Sequence, residues 1–345
     1  MTAGGILKTV EVSDLTKHFR IRRRDERSGP VRNLFRPAWD IHVAVSGLSF
    51  GLAEGEIVGL LGSNGAGKST TMKCLCGILA PTSGFVRVAG LDPFRDRKRV
   101  ARELGVVFGQ KTTLWWDVPV IDTYRLLRHV YEVSAADFDR MMDTVTEVLG
   151  LAEFLNTPVR QLSLGQRVRA DLAAAFLHRP RVLFLDEPTI GLDIAAKSRL
   201  REFVKQIRDE TGVTILLTTH DLQDIELLSD RIVLIDRGGK LFEGTLAETI
   251  ARFAPYTTVR LELSQDVPGE IRVPGAVVER DSELSVRVRF RRDDLPITEV
   301  TGYVMRHYPV RDFTVGEPQI EDIVREIYDD TPKAAVVPKV LDGSR

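Results

Sequence analysis

The chain has 345 residues, enough for one large domain and a smaller one. Its 43% hydrophobic and 28% charged content is that of a globular protein with a real core, and the formal net charge of −1 excludes a uniformly basic nucleic-acid binder and an acidic disordered chain. The only cysteines, Cys74 and Cys76, exclude a disulfide framework, and with no His or Cys cluster beside them they do not form a metal site.

The opening MTAGGILKTVEV lacks the basic region and apolar core of a leader, and no later stretch approaches the roughly 18 uninterrupted apolar residues of a membrane span. A cytosolic location is therefore expected, with any membrane role exercised through a separate partner. Alternation over Lys8–Val12 predicts a strand, and His42 to Leu61 predicts further strands with a turn at Glu54-Gly55-Glu56. Between them, residues 20–36 carry seven arginines against Asp25 and Glu26 and include Gly29 and Pro30. This basic insert reads as a flexible loop, either simply solvated or offering a patch for anionic lipid headgroups or a partner.

Ile57-Val58-Gly59-Leu60-Leu61 is a short apolar run bounded by glycine, as a buried parallel strand should be. A helix is predicted from Lys68 to just before Pro81, with Met72, Leu75, Cys76 and Leu79 on one face. From about Trp115 to Val159 the period turns helical through Tyr124, Leu127 and Tyr131, then Phe138, Met141, Met142, Val145 and Leu149. Strands resume at Val182–Leu185, Val213–Thr218 and Arg231–Ile235, with a last one at Lys240–Phe242. Near Pro255 the texture changes: Val259, Leu261 and Leu263 alternate, as do Leu284, Val286, Val288 and Phe290. Ile320, Ile323, Val324, Ile327 and Tyr328 then repeat at helical spacing after Pro318. The expected layout is a main domain over 6–254, a small α/β accessory domain over 255–330 and a disordered end over 331–345.

Directly after the apolar strand stand Gly62-Ser63-Asn64-Gly65-Ala66-Gly67-Lys68-Ser69, the strand, glycine-rich loop and helix of a P-loop, with Thr70 next. Glycines let backbone N–H groups approach phosphate oxygens, and the helix N-terminus adds favourable partial charge. Lys68 is expected to reach the β- and γ-phosphates and Ser69 to ligate Mg²⁺. Asp186 ends a later apolar strand, where it can hold Mg²⁺ directly or through water. Glu187 beside it can orient or deprotonate an attacking water. A P-loop alone leaves kinases, GTPases and many ATPases open.

The discriminating stretch is Leu162-Ser163-Leu164-Gly165-Gln166, with Ser163 lying 23 residues before Asp186. Here the sequence resembles the nucleotide-binding subunits of ABC transporters, whose signature reads Leu-Ser-Gly-Gly-Gln; Leu164 departs from it at the third position. The order of P-loop, Gln110, signature, Asp186-Glu187, Gly191-Leu192-Asp193 and His220 follows that family, and the resemblance covers about residues 6–250. It implies a P-loop NTPase α/β core of ABC ATPase type, with antiparallel β and helical subdomains (the latter about 115–175), followed by the small C-terminal α/β domain.

The resemblance also implies roles. Gln110 would touch Mg²⁺ or water, Ser163, Gly165 and Gln166 would face nucleotide phosphate across a dimer, Asp193 would stand at the dimer interface, and His220 would contact the γ-phosphate. Phe19 stands at the point where that family stacks adenine on an aromatic residue, and suits either that role or core packing. Trp115 and Trp116 follow the region that receives a coupling helix from the membrane subunit in that family, and suit either that interface or core packing. The Thr189–Asp193 stretch, Phe108-Gly109-Gln110 with the two tryptophans, and Thr314-Val315-Gly316-Glu317-Pro318 resemble the drug- and viologen-type exporters. The implied protein hydrolyses ATP with Mg²⁺ and dimerises with itself or a similar ATPase. It would work peripherally at the cytoplasmic face of the plasma (inner) membrane with integral permease subunits and without nucleic acid. The rival reading is an ABC ATPase that acts mechanically or regulatorily on a membrane partner without moving a solute.

Overall fold

The computed structural model describes residues 8–23, 38–109, 111–219, 222–253, 256–291 and 293–316. Two long strands, β1 (Lys8–Arg23) and β2 (Ala38–Ala53), pair antiparallel from Lys8 opposite Ala53 to Arg23 opposite Ala38. The basic stretch is thus a strand over Arg20–Arg23 rather than a loop, because those residues continue the β1–β2 ladder; the remainder, 24–37, lies outside the described residues. The apolar run is β3 (Ile57–Leu61), all five residues buried, and the P-loop leads from it into α1 (Lys68–Leu75). That helix is shorter than predicted. Cys76 is its C-cap and Gly77 turns into the left-handed region, where a Cβ would meet the Pro93 carbonyl oxygen at 2.1 Å. Cys74 is buried in the apolar cluster under this helix, and the half-buried Cys76 packs against it. β4 (Ser83–Val88) returns to the other edge of β1 over Val10–Thr16 and completes a three-stranded antiparallel sheet in the order β2-β1-β4.

Next come α2 (Arg97–Glu103) and β5 (Leu104–Phe108), then the helices α3 (Val120–Val130) and α4 (Ala135–Leu149). α4 begins where the Ser134 side chain accepts from the Asp137 N–H and ends at Gly150, in the left-handed region. Its inward face is the predicted set, Phe138, Met141, Met142, Val145 and Leu149. After α5 (Leu164–Phe176) the pattern alternates through β6 (Val182–Asp186), α6 (Ile194–Thr211), β7 (Thr214–Thr218), α7 (Leu222–Leu228), β8 (Arg231–Asp236) and β9 (Gly239–Gly244).

The second sheet has the order β5-β6-β7-β3-β8-β9, parallel except for β9. Both faces are covered over β3, β6 and β7, which is why those strands read as unbroken apolar runs, while the edge strand β9 is only partly buried. Leu183, Leu185, Ile215 and Leu217 join a core that contains residues of α3 to α6, while Val182, Phe184, Leu216, Val58 and Leu60 join one containing α1 and antiparallel-sheet residues. Each fully buried Leu, Val or Phe among them contributes roughly 1.5–3 kcal/mol relative to exposure. The C-terminal ends of β3, β6 and β7 lie side by side, so the P-loop, Asp186-Glu187 and Thr218-Thr219 share one rim.

Residues up to Gly244 form one compact unit, and a second begins at Thr245. There Thr245 and Glu248 cap α8 (Leu246–Phe253) reciprocally, the Thr245 N–H donating to the Glu248 carboxylate and the Glu248 N–H to the Thr245 hydroxyl. This unit holds an antiparallel sheet of β10 (Tyr256–Leu263), β11 (Val277–Arg280), β12 (Ser285–Arg291) and β13 (Val310–Gly316), ordered β11-β12-β10-β13, with α9 (Ile297–His307) before the last strand. Val259, Leu261, Val286, Val288 and Phe290 point inward against Val300 and Val304 of α9. Ile320 to Tyr328 and the end over 331–345 fall outside the described residues. No helix among the described residues is long and apolar enough to cross a membrane.

Candidate functional site

β3 stops where Gly62 begins the loop, and the loop is clamped from two sides. The Gly238 N–H donates to the Ala66 carbonyl (3.0 Å), and the Ser46 N–H to the Gly238 carbonyl (2.8 Å). Gly67 is the N-cap of α1 at φ 107°, and a Cβ there would lie 2.6 Å from the Ala44 carbonyl oxygen, so only glycine fits between the loop and β2. Asn64 and Gly65 at the crest are exposed, and a Cβ on Gly65 would meet nothing within 4 Å, which leaves room above the loop. Ala66 is buried, Ser69 is exposed at the first turn of α1, and Thr70 behind it is half-buried.

Lys68 is buried at 7% exposure, with its Nζ donating to the carbonyl oxygens of Gly62 (2.6 Å) and Ser63 (3.2 Å). Burial lowers the pKa of its ammonium, and the nearby carboxylates of Glu187 and Asp186 oppose that shift. A cation thus spans the loop with two acidic groups in electrostatic reach: the ammonium can attract a phosphate, and the carboxylates can hold a cation or water beside it.

Asp186 is fixed by Thr218, whose Oγ1 donates to its Oδ1 at 2.6 Å. The Glu187 N–H in turn donates to the Thr218 carbonyl (2.9 Å) and hydroxyl (3.0 Å) oxygens, and its backbone is left-handed at φ 51°. A non-glycine residue held there costs on the order of 1–3 kcal/mol, which the two bonds from β7 offset. Gly109, just before the Gln110 position, donates its N–H to the Asp186 carbonyl (2.8 Å). A Cβ at Gly109 would lie 2.2 Å from the Glu187 carbonyl oxygen. The chain therefore enters the Gln110 region in contact with the acidic pair. Gln110 and His220 themselves lie outside the described residues.

Ser163 is the N-cap of α5 in a complete capping box: its Oγ accepts from the Gln166 N–H (3.2 Å), and Gln166 Oε1 accepts from the Ser163 N–H (2.9 Å). The departure at Leu164 has a place in the packing. A Cβ on Gly191 would lie 2.8 Å from Leu164 Cδ2, and one on Gly165 would touch Ala196 and Leu192, so the signature turn seats on the Gly191–Asp193 turn. Asp193 is exposed and caps α6, its Oδ1 accepting from the Ala196 N–H (2.7 Å). Phe19 is half-buried on β1, opposite His42, with Lys17 Nζ 5.5 Å from its ring centre; Lys17 pairs with Val45, beside the Ala44 that touches the P-loop. Trp115 and Trp116 are exposed, at 55% and 48%, not core, and the Arg167 guanidinium of α5 lies over the Trp116 ring at 4.6 Å.

Two groups around this rim escape sequence reading. Asp171 on α5 is buried and accepts from the Thr112 hydroxyl (3.0 Å), the Thr113 N–H (2.9 Å) and the Thr113 hydroxyl (3.0 Å), tying the segment after Gln110 to the signature helix. Burial raises its carboxyl pKa against the pull of those bonds. Asp224 on α7 is buried completely and gathers Thr189, Thr219 and Arg201. Neither belongs to a recognisable motif; an acidic residue in a helix pattern reads as solvent-facing until its packing is known.

Residues 45–190 match the family model described as ABC transporter, and residues 255–316 match one described as EvrA-like ABC transporter, C-terminal domain. The chain is 32% identical over 229 residues to the linearmycin resistance ATP-binding protein LnrL of Bacillus subtilis (strain 168), a match covering 66% of this chain and 73% of that protein. It is 38% identical over 266 residues to the Nod factor export ATP-binding protein I of Paraburkholderia xenovorans (strain LB400), covering 77% and 83%. Among solved structures, a dimeric post-hydrolysis state of an ATP-binding cassette bound to ADP and Pi superposes with a TM-score of 0.57 at 25% identity, covering 69% of this chain and 98% of that one. A P-loop cation facing an acidic pair, a capped signature helix and relatives of this kind converge on one assignment: the chain belongs to the ATP-binding subunits of ABC transporters and is an ATP-hydrolysing enzyme of that family.

Proposed function

We propose that the protein powers export: two copies, or one copy and a similar ATPase, close around two ATP molecules and drive separate integral permease subunits from the cytoplasmic face of the membrane. The observation that carries this reading is Lys68, buried across the P-loop with Asp186 and Glu187 in electrostatic reach. Lys68 and the loop N–H groups bind the phosphate chain, Phe19 stacks the adenine, and Glu187 orients or deprotonates the attacking water. The oxygens of Ser69 and Asp186 are hard donors of the kind Mg²⁺ takes alongside substrate phosphates, and Mg²⁺ when bound neutralises charge on the transferred group. Gln110 is assigned to the same ion and water, and His220 to the γ-phosphate. Ser163, Gly165 and Gln166 stand at the N-terminus of α5, where a second subunit's phosphate meets N–H groups and favourable partial charge. Asp193 beside them belongs to the interface. The export direction draws on the relatives' printed names, one a Nod factor export protein and one a resistance protein.

Size-exclusion chromatography with Mg·ATP, run beside steady-state hydrolysis, tests this. Glu187→Gln keeps size and hydrogen bonding but loses the carboxylate. It is expected to bind ATP normally, lose roughly 10²–10⁴-fold in turnover and accumulate an ATP-bound dimer. Lys68→Ala is expected to show neither dimer nor turnover, and Ser163→Arg to bind ATP as a monomer that does not close. A Glu187→Gln protein that hydrolyses at the normal rate, or stays monomeric alone and with its membrane partner, overturns the reading.

A further inference from the structure

We propose that the buried Asp224–Arg201 pair is a positioning device for hydrolysis, holding the turn that carries Glu187 through Thr189 and the end of β7 through Thr219. The inference rests on the role of Glu187 proposed above and adds residues to which neither the sequence motifs nor the comparisons give a part.

Asp224 is fully buried, and each of its oxygens has a distinct set of partners. Oδ1 accepts from Arg201 Nε at 2.7 Å and faces Arg201 Nη2 at 2.5 Å. Oδ2 accepts from the Thr189 hydroxyl at 2.5 Å and the Thr219 hydroxyl at 3.1 Å. Thr189 and Thr219 are themselves buried, at 3% and 1% exposure. One carboxylate therefore ties three elements: the turn after β6, the segment after β7, and α6. Thr189 sits two residues beyond Glu187, within a turn closed by the Ile190 N–H to the Glu187 carbonyl (3.3 Å) and the Leu192 N–H to the Thr189 carbonyl (3.2 Å). Thr219 follows Thr218, which holds Asp186 and the Glu187 N–H. Arg201 lies two helical turns along α6 from its cap at Asp193.

Stability is a poor reason for such a pair. Desolvating a carboxylate and a guanidinium costs several kcal/mol each, and apolar residues of the same volume commonly serve as well. What the charges add here is direction. A carboxylate with four polar contacts admits one arrangement of the threonines, and Glu187, already in a left-handed backbone, keeps its aim only if the turn beyond it is fixed. Among the described residues of α7 the other buried ones, Ile225 and Leu228, are apolar, so Asp224 is the buried charge that this helix brings beside the reacting centre.

Replacing Asp224 itself would strand Arg201 in the interior and risk unfolding, so the threonines are the better probes. Thr189→Val removes the hydroxyl and keeps the shape, leaving Asp224 with Arg201 and Thr219. The full-length protein is assayed for ATP turnover and for MgADP affinity by calorimetry. The expected result is a fall in kcat of roughly tenfold or more, as for a small displacement of a catalytic group, with the KM for MgATP and the Kd for MgADP within about twofold of wild type. Thr189→Ser is expected to restore turnover, Thr219→Val to behave like Thr189→Val, and Thr189→Val to lower turnover no further in a Glu187→Gln background. Normal kcat in Thr189→Val beside an inactive Glu187→Gln overturns the proposal alone. A Thr189→Val loss that tracks nucleotide affinity and melting temperature, unrelieved by serine, also overturns it, because it marks a merely structural contact. Wild-type turnover in Glu187→Gln removes the underlying reading and this one with it.

Discussion

Glu187 and His178 show how far one residue's behaviour depends on its backbone neighbours. Glu187 is aimed by bonds that its side chain does not make, from Thr218 and the turn beyond it. His178 sits at the other end of the parallel sheet, between α5 and β6. Its ring stacks on Tyr131 at 3.9 Å and its Nε2 bonds the Leu104 carbonyl at 3.2 Å. Burial pushes its pKa down to about 4, against the raising effect of that bond. The native ring is neutral where the unfolded one, near 6.5, takes a proton, so this group's contribution to stability is full above about pH 6.5 and is lost as the pH falls toward 4. Urea unfolding at pH 7.5 and pH 4.5 is expected to show a loss of about 1–3 kcal/mol from this residue, and a smaller pH dependence in His178→Gln. An unchanged slope in the variant would show that other groups carry the acid sensitivity.

At the scale of elements, the β1–β2 ribbon and α5 meet the surroundings in different ways. α5 ends at its N-terminus in a capping box worth about 1 kcal/mol, which presents a formed helix end to solvent. The ribbon runs past the rungs shared with β4, and its last seven β1 residues pair with β2 alone. On that extension Trp39, Ile41 and Val43 are exposed at 54%, 53% and 42% and fall on one face by strand alternation, with exposed Arg20 opposite Ile41. An apolar row beside an exposed arginine is the pattern expected at a bilayer interface, where a basic residue adds roughly 1 kcal/mol near anionic lipid. Sedimentation with phosphatidylglycerol vesicles is expected to fall for Arg20→Glu/Trp39→Ser, more at low than at high salt. Equal sedimentation of variant and wild type in both conditions would leave residues 20–36 without a lipid role.

The whole molecule consists of two compact units with separate cores. Every described residue of the proposed nucleotide site belongs to the first, and the first unit closes with β9 before Thr245 caps the next helix. A chain ending at Gly244 is therefore expected to fold and bind Mg·ATP within a few-fold of the full chain, while dimer stability or partner-coupled turnover changes. Equilibrium binding of a fluorescent ATP analogue checks the first part, and a folded truncation unable to bind would place the C-terminal unit in the nucleotide site.

The P-loop and the acidic pair were legible in the sequence because each is a local run whose chemistry follows from residue type and spacing, whereas the signature was legible only through a family resemblance carried by the order of the motifs. The strands β3, β6 and β7 were legible for a related reason: a sheet covered on both faces demands continuous apolar runs. Tertiary structure decided what joins segments distant in the chain. No local pattern shows that Leu164 would seat against Gly191, that Asp171 would hold Thr112 and Thr113, or that Asp224 would collect Thr189, Thr219 and Arg201 from three elements. Nor does an arginine-rich stretch reveal that its first residues extend a ladder, since β pairing depends on the partner strand and not on the basic side chains. Buried polar residues look like surface residues in one dimension, and only packing removes the water that would otherwise satisfy them.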